Sequence, residues 1–310
     1  MSRHLVIAAA QMGPIARTQG RPAVVQRMID LMREAKALGA QVVAYPEAAL
    51  TAFFPHWFTE DEDEVDAWFE RDMPGPQTQP LFDEARRLGL GFHLGYCELD
   101  VSAGQKRRFN TSILVDASGR IIGKYRKIHL PGHAEHRPQT PFQNLEKRYF
   151  EVGDLGFGAW QAWGGVAGMI ICNDRRWPES YRVLGLQGAE MIFCGYNTPV
   201  HHPGAPEHDR LGQFHNELCM QSGAYQNSAW VIGIAKAGLE EGVDMIAGSC
   251  IIAPTGELVA RCSSNGDEVI VARCDLDLGR SYRETTFNFA RHRRTEHYHM
   301  IVERTGATPP

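Results

Sequence analysis

The chain has 310 residues, of which 43% are hydrophobic, 22% charged and 9% aromatic, a composition that excludes disordered, collagenous and disulfide-miniprotein classes. Its 32 Lys and Arg against 37 Asp and Glu give a net charge of −5, so no global basic field draws nucleic acid, and a small molecule is the expected partner. The longest apolar run, Leu5 to Ala10, is far short of the roughly 20 residues of a membrane-spanning helix, and the N-terminus shows no secretory signal, which predicts a cytoplasmic protein without membrane attachment.

Leu5–Gln11 reads as a strand. Pro22–Leu38 then sets Val24, Met28, Leu31, Ala35 and Leu38 at alternating spacings of four and three, an amphipathic helix stopped by Gly39. A strand over Gln41–Tyr45, a helix over Gln79–Leu88 and a strand over Gly91–Cys97 follow. Next comes a hairpin whose arms, Ser112–Asp116 and Arg120–Arg126, flank Ala117-Ser-Gly119. In the second half, strands are expected at Phe157–Trp163, Val166–Ile171 and Met191–Cys194. A helix starts near Pro178, and a long one over His208–Asn227 buries Leu211, Phe214, Leu218 and Tyr225. Strands at Ala229–Ala235 and Ser249–Ala253 precede a second hairpin, Glu257–Arg261 with Glu268–Cys274.

The halves resemble one another. Gly39-Ala-Gln-Val-Val-Ala-Tyr45 recurs as Gly188-Ala-Glu-Met-Ile-Phe-Cys194, and Leu114-Val-Asp-Ala-Ser-Gly-Arg-Ile121 as Ile251-Ile-Ala-Pro-Thr-Gly-Glu-Leu258. Two such α/β units with no linker between them predict a single domain over 1–310, built as a four-layer αββα sandwich of two mixed sheets with helices outside. The segment from about 276 to 310, rich in Arg and aromatics, reads as an arm that packs on a neighbouring subunit.

Several chemistries lose their signals. Gly89-Leu-Gly-Phe-His-Leu-Gly95 leads into a strand with the wrong spacing for a dinucleotide fingerprint, and no P-loop or G-x-S-x-G elbow occurs. His201, His202, His208 and His215 lack any recognised ligand spacing, so no metal and no cofactor is expected. All seven cysteines stand outside C-x-x-C pairs, which predicts reduced thiols. Ligands bind beyond the carboxyl ends of strands in α/β sheets, and three reactive residues fall there: Glu47, Lys127 and Cys172. A thiol needs a base or a nearby cation to become a nucleophile. Glu47 could take the proton, while Lys127 and the Asn173 N–H could hold an oxyanion. Singly, each residue has a plainer reading, as a helix-start charge, a solvated strand end and a core filler.

Ala44-Tyr-Pro-Glu47, Gly123-Lys-Tyr-Arg-Lys127-Ile-His-Leu-Pro131 and Ile171-Cys-Asn-Asp-Arg-Arg-Trp-Pro-Glu179 resemble the three signatures of the nitrilase superfamily, the carbon-nitrogen hydrolases. Within it, Arg107-Arg-Phe-Asn-Thr-Ser112, Leu145-Glu-Lys-Arg-Tyr-Phe-Glu151 and Gly195-Tyr-Asn-Thr-Pro199 are similar to bacterial N-carbamoyl-D-amino acid amidohydrolases. The resemblance implies a Glu47–Lys127–Cys172 triad, a second glutamate at Glu146, no metal, and a homo-oligomer, dimer or tetramer. It implies a substrate pocket of His129, Asn173, Arg175, Arg176, Asn197 and Thr198. Asn144 departs from the histidine expected there, and the stretch Ala134–Phe142 differs as well. The Arg175-Arg176 pair independently suggests a substrate with a carboxylate, which guanidinium groups grip bidentately. The expected reaction is hydrolysis of an N-carbamoyl-D-amino acid to the D-amino acid, carbon dioxide and ammonia. A β-ureidopropionase, an aliphatic amidase, a metallohydrolase and a non-catalytic metabolite-binding protein are the alternatives.

Overall fold

The first strand, β1 (His4–Gln11), is buried on both faces from Ile7 onward, the pattern of a strand enclosed within layers. A computed structural model describes residues 2–102 and 104–309 of the chain. After β1 come helix α1 (Arg21–Ala37), β2 (Val42–Ala44), α2 (Glu62–Asp66), α3 (Gln79–Leu88) and β3 (Gly91–Asp100). The antiparallel pair β4 (Arg107–Val115) and β5 (Ile121–Arg126) leads to the single turn α4 (Glu146–Tyr149). The second half begins with β6 (Ala159–Ala162), β7 (Gly165–Ile171), α5 (Pro178–Leu186) and β8 (Met191–Tyr196). Then follow α6 (Gly212–Asn227), β9 (Trp230–Ala235), the hairpin β10 (Ala237–Glu240) with β11 (Val243–Ile246), β12 (Cys250–Ile252), β13 (Leu258–Arg261) and β14 (Glu268–Asp275). Short helices α7 (Arg280–Glu284), α8 (Phe289–His292) and α9 (His299–Glu303) end the chain. No helix is long and apolar enough to cross a membrane among the described residues.

Two six-stranded mixed sheets form, ordered β14-β1-β2-β3-β4-β5 and β13-β12-β9-β8-β7-β6. In the first, β1, β2 and β3 are parallel neighbours with antiparallel β14 and β4 outside them. In the second, β7, β8 and β9 are parallel, flanked by antiparallel β6 and β12. The sheets therefore match strand for strand. β2 corresponds to β8, and the β4–β5 hairpin to β12–β13, the same segments whose sequences repeat.

Side-chain alternation assigns the layers. Ala8, Ala10, Val43 and Leu94 pack under α1 and α3, whereas Ile7, Ala9, Val42 and Ala44 join the core shared with the second sheet. Leu184 of α5 and Met220 and Ala224 of α6 cover the outer face of that second sheet. The expected four-layer αββα sandwich is the observed one.

Three details differ from expectation. Leu38 lies past the end of α1 and is exposed, because the chain turns away at Gly39, whose φ is +87°. α6 starts four residues later than expected, and it buries Asn216, Met220, Gly223 and Ala224 instead of the apolar stripe. Phe214, Leu218 and Tyr225 face outward, at 57%, 49% and 40% exposure. The reason is close approach: a Cβ on Gly223 would sit 2.5 Å from the Tyr181 ring, so α6 turns its small residues toward α5. Finally, the β10–β11 hairpin carries no alternation strong enough to announce it. The segment after β14 packs on its own chain, with Arg182 over the Phe289 ring and Tyr225 edge-on to Phe287, while Met300, Ile301 and Val302 stay exposed.

Candidate active site

Three strand ends converge. Beyond β2, Tyr45 anchors the chain through its hydroxyl to the Met28 carbonyl (2.7 Å), and Pro46–Glu47 passes between Gly95 of β3 and Gly195 of β8. A Cβ at Gly95 would lie 2.5 Å from the Pro46 oxygen, and one at Gly195 would lie 2.5 Å from the Glu47 nitrogen. Beyond β5, the backbone of Lys127 is fixed on both sides: its N–H donates to the Asn110 carbonyl, and its own carbonyl accepts from Gly153, each at 2.8 Å. Beyond β7, Cys172 adopts φ +46°, a left-handed conformation that costs a non-glycine residue roughly 1–2 kcal/mol. Asp174, which accepts from the Ile171 N–H at 2.9 Å, holds that turn.

Glu47 is saturated with donors. Its Oε1 accepts from Lys127 Nζ (2.8 Å) and Asn110 Nδ2 (2.7 Å), and its Oε2 from the Asn197 N–H (2.8 Å). Asn197 Nδ2 also donates to the Glu47 carbonyl (2.7 Å), so the end of β8 grips this residue twice. On its other side, Lys127 donates to Glu146. The turn α4 is placed there by a ladder to the segment before α2, Leu145 N–H to Pro55 O at 2.8 Å and Gln143 N–H to His56 O at 3.1 Å. All three ionisable groups are buried. Burial works against the Lys127 charge, yet Glu146 and Glu47 together hold the ammonium protonated well above its usual range. Burial outweighs the pull of Lys127 at Glu146 and pushes that carboxyl up to about 7.

Cys172 is 4% exposed. Its thiol points to the Asn197 carbonyl (3.7 Å) and Thr198 Oγ1 (3.9 Å). Burial and Glu47 raise the thiol, while Lys127 and Arg175 lower it. A buried thiol, a fixed carboxylate and a permanent cation are the components of nucleophilic acyl chemistry with a proton acceptor and an oxyanion donor. Asn173 lies in the first turn after the thiol, a 3-10 turn over Cys172–Arg176, where backbone N–H groups lack helical partners.

The remaining pocket candidates divide. His129 donates its backbone N–H to Asp174 Oδ1 (2.9 Å) and sets Nδ1 on the same oxygen (2.8 Å), with its ring stacked on Trp177. Asn173 donates to the His129 carbonyl (3.1 Å) and accepts from Arg176 (3.2 Å). These residues border a cavity of about 310 Å³ that includes Lys147 and Trp177 and no carboxylate. Arg175 and Arg176 border one cavity of about 350 Å³ but differ in burial: Arg176 is exposed, whereas Arg175 is buried beneath Cys172. Successive residues of a 3-10 turn point about 120° apart, so neighbours in sequence can differ this much in exposure. Asn144 offers its carbonyl to the His133 N–H (2.9 Å), and its side-chain oxygen is buried without a partner.

Sequence reasoning missed Asn110, Asp174 and Tyr125. Tyr125 donates to Asp174 Oδ2 at 2.7 Å, which makes Asp174 the tie between the Lys127 strand and the Cys172 turn. All three lie inside the motifs quoted above, so the signal was present but unassigned. Of the four histidines between 201 and 215, His201 pairs with Asp209 (2.8 Å) and the His208 and His215 rings stand 6.4 Å apart. Among the described residues, no three His, Cys, Asp or Glu side chains gather as a metal site.

Residues 6–284 match the family model described as carbon-nitrogen hydrolase. A nitrilase of Pyrococcus abyssi is 33% identical over 269 residues, covering 86% of this chain and 90% of that protein. An N-carbamoylputrescine amidase of Arabidopsis thaliana is 30% identical over 288 residues, covering 89% of each. A citrullinase of Francisella tularensis is 32% identical over 204 residues, covering 63% of this chain and 66% of that protein. Among solved structures, a carbon-nitrogen hydrolase from Helicobacter pylori G27 superposes with a TM-score of 0.82 at 21% identity, covering 97% and 99% of the two chains, a likeness of fold.

Proposed function

The chain belongs to the carbon-nitrogen hydrolase family, the nitrilase superfamily, whose members cleave C–N bonds, and from that membership and the site's geometry we propose that it hydrolyses N-carbamoyl-D-amino acids through a cysteine-bound intermediate. The convergence of Glu47, Lys127 and Cys172 on three strand ends carries the mechanism. Glu47 takes the thiol proton, and the sulfur attacks the carbamoyl carbon. Lys127 and the Asn173 N–H hold the oxyanion. The terminal nitrogen leaves as ammonia on the proton returned by Glu47, giving a thiocarbamate. Water, deprotonated by the same carboxylate, releases the thiol and a carbamic acid, which decomposes to carbon dioxide and the D-amino acid.

Glu146 sets a pH dependence. Below about 7 its carboxyl is protonated and becomes a weaker acceptor for Lys127. The rate should therefore rise with pH across that value, and Glu146→Gln should remove the inflection. A pH–kcat profile in which the variant keeps an unchanged inflection near 7 would refute this assignment.

The substrate class rests on charge. Lys147 lines one cavity beside Asn173, while Arg175 and Arg176 line another, and neither lining includes a carboxylate, an environment that favours an anionic group over the ammonium of a carbamoyl polyamine. The D configuration rests on the motif resemblance at residues 107–112, 145–151 and 195–199. Ammonia release should be measured from N-carbamoyl-D- and N-carbamoyl-L-amino acids, N-carbamoyl-β-alanine, N-carbamoylputrescine, citrulline and a simple amide. Turnover confined to the D-carbamoyl compounds is expected, and preference for N-carbamoylputrescine would keep the chemistry and discard this pocket. Arg176→Gln should raise KM for the preferred substrate by about 10- to 100-fold, the loss of one charge-assisted contact, with kcat changed by less than about threefold.

The same reading includes a homo-oligomer. Phe214 and Leu218 on α6 and Val183 and Leu186 on α5 are exposed, the latter two lining a cavity of about 660 Å³ under the C-terminal arm, and exposed apolar surface of this kind marks interfaces. Light scattering should return a multiple of 34.6 kDa, and Phe214→Glu should reduce it. A monomeric wild type would refute the interface.

A further inference from the structure

Among the described residues, four Arg and Lys side chains are buried: Arg126, Lys127, Arg175 and Lys236. Arg126 pairs with Glu98, Lys127 with Glu47 and Glu146, and Lys236 with Glu240. Arg175 is the exception. It is 1% exposed, yet among the described residues no carboxylate lies within the 4.0 Å of an ion pair. Its donors go to neutral groups: Nη1 to the Cys172 carbonyl at 2.7 Å, and Nη2 to Thr198 Oγ1 at 2.9 Å. Nε has no partner, and the guanidinium lies over the Tyr196 ring at 4.6 Å.

An uncompensated buried charge is costly, so the question is which anion it faces. Nη1 stands 3.6 Å from Cys172 Sγ, and that sulfur becomes an anion once its proton passes to Glu47. Glu47, Glu146, Lys127 and Arg175 act on the sulfur, and the exposed Arg176 acts on it as well. Lys127 is already neutralised by the two carboxylates and Arg176 is exposed to solvent, which leaves Arg175 as the buried positive charge without a counterpart. The substrate's carboxylate is poorly served by the same group, since it is 1% exposed and its Nη1 and Nη2 already donate to Cys172 and Thr198.

Resting on the reading of Cys172 as nucleophile, we propose that Arg175 is the counter-cation of the Cys172 thiolate and takes no part in gripping the substrate's carboxylate. The hydrogen bond from Nη1 to the Cys172 carbonyl also holds the left-handed turn, so charge and placement come from one side chain.

The test is the pH dependence of alkylation of Cys172 by iodoacetamide, a neutral reagent, read at that residue by peptide mass spectrometry in the full chain. Arg175→Gln keeps an N–H donor for the Cys172 carbonyl and deletes the charge. Its alkylation midpoint should move up by about one pH unit or more, so that the rate at pH 7 falls about tenfold. Arg175→Lys keeps the charge and loses the fork. It should alkylate within about threefold of wild type and keep KM for the carboxylated substrate within the same factor. An Arg175→Gln protein alkylated as fast as wild type would overturn the proposal. So would an Arg175→Lys protein with a tenfold higher KM and unaltered alkylation, and that comparison decides alone if the Gln variant does not fold. Full turnover by Cys172→Ala is a different result: it would remove the nucleophile itself, whatever the arginine variants show.

Discussion

Cys172→Ala should lose ammonia release from every substrate by about 10⁴-fold or more, the scale on which removal of a covalent nucleophile is felt. The fold should barely register the change. Only one sulfur atom leaves a site enclosed by Asn197, Thr198 and Arg175, and alanine meets the same left-handed backbone requirement as cysteine. Cys172→Ser sharpens the point, because it keeps the shape and raises the acidity threshold of the nucleophile far beyond what a carboxylate base can serve. Matched thermal unfolding and single-turnover assays separate the two effects. Retained turnover in either variant would end the covalent mechanism.

Lys127→Met should cost both activity and stability. The ammonium lies between Glu47 and Glu146, with all three groups buried. Removing one member of a buried ion cluster typically destabilises by about 3–5 kcal/mol because the charges left behind have no solvent, and for a chain of this length that is a fall in Tm of about 10 °C. The deficit should depend on pH. Burial holds the Glu146 carboxyl above its unfolded value and Lys127 works against that, so without the cation its contribution is favourable in the protonated form and is lost as pH rises through the folded value. The variant should recover stability relative to wild type on acidification. Adding Glu146→Gln should restore part of the lost stability without restoring turnover. Equal Tm for wild type and Lys127→Met at pH 8 would show that the cluster is not the buried ionic unit described here.

A feature of this protein is legible in its sequence to the extent that it depends on neighbours along the chain. Glu47, Lys127 and Cys172 could be singled out because strand ends are readable from local apolar runs, and each of the three follows one directly. The internal repeat was legible for the same reason, since β2 with β8 and β4–β5 with β12–β13 are short local patterns. The double grip of Asn197 on Glu47 was not, because it joins residues on different sheets. Arg175 and Arg176 could be read as a pair because adjacency in sequence is visible, whereas the difference in their burial is set by the direction of a turn and is not. The outward stripe of α6 failed for a further reason: periodicity reports that a helix has an apolar face, and cannot say whether its own core or another surface covers it.

Gly95 and Gly195, one from each sheet, press on the Pro46–Glu47 peptide so closely that neither has room for a methyl group. In a saturation mutagenesis screen these two positions should be as intolerant as the nucleophile, although they carry no functional group and touch no substrate. Ranking positions by intolerance would therefore count them among the chemistry. The distinction becomes visible only when inactive variants are sorted by whether the protein still accumulates in folded form: loss of the sulfur spares the fold, whereas a methyl group pushed against the strand crossing should not.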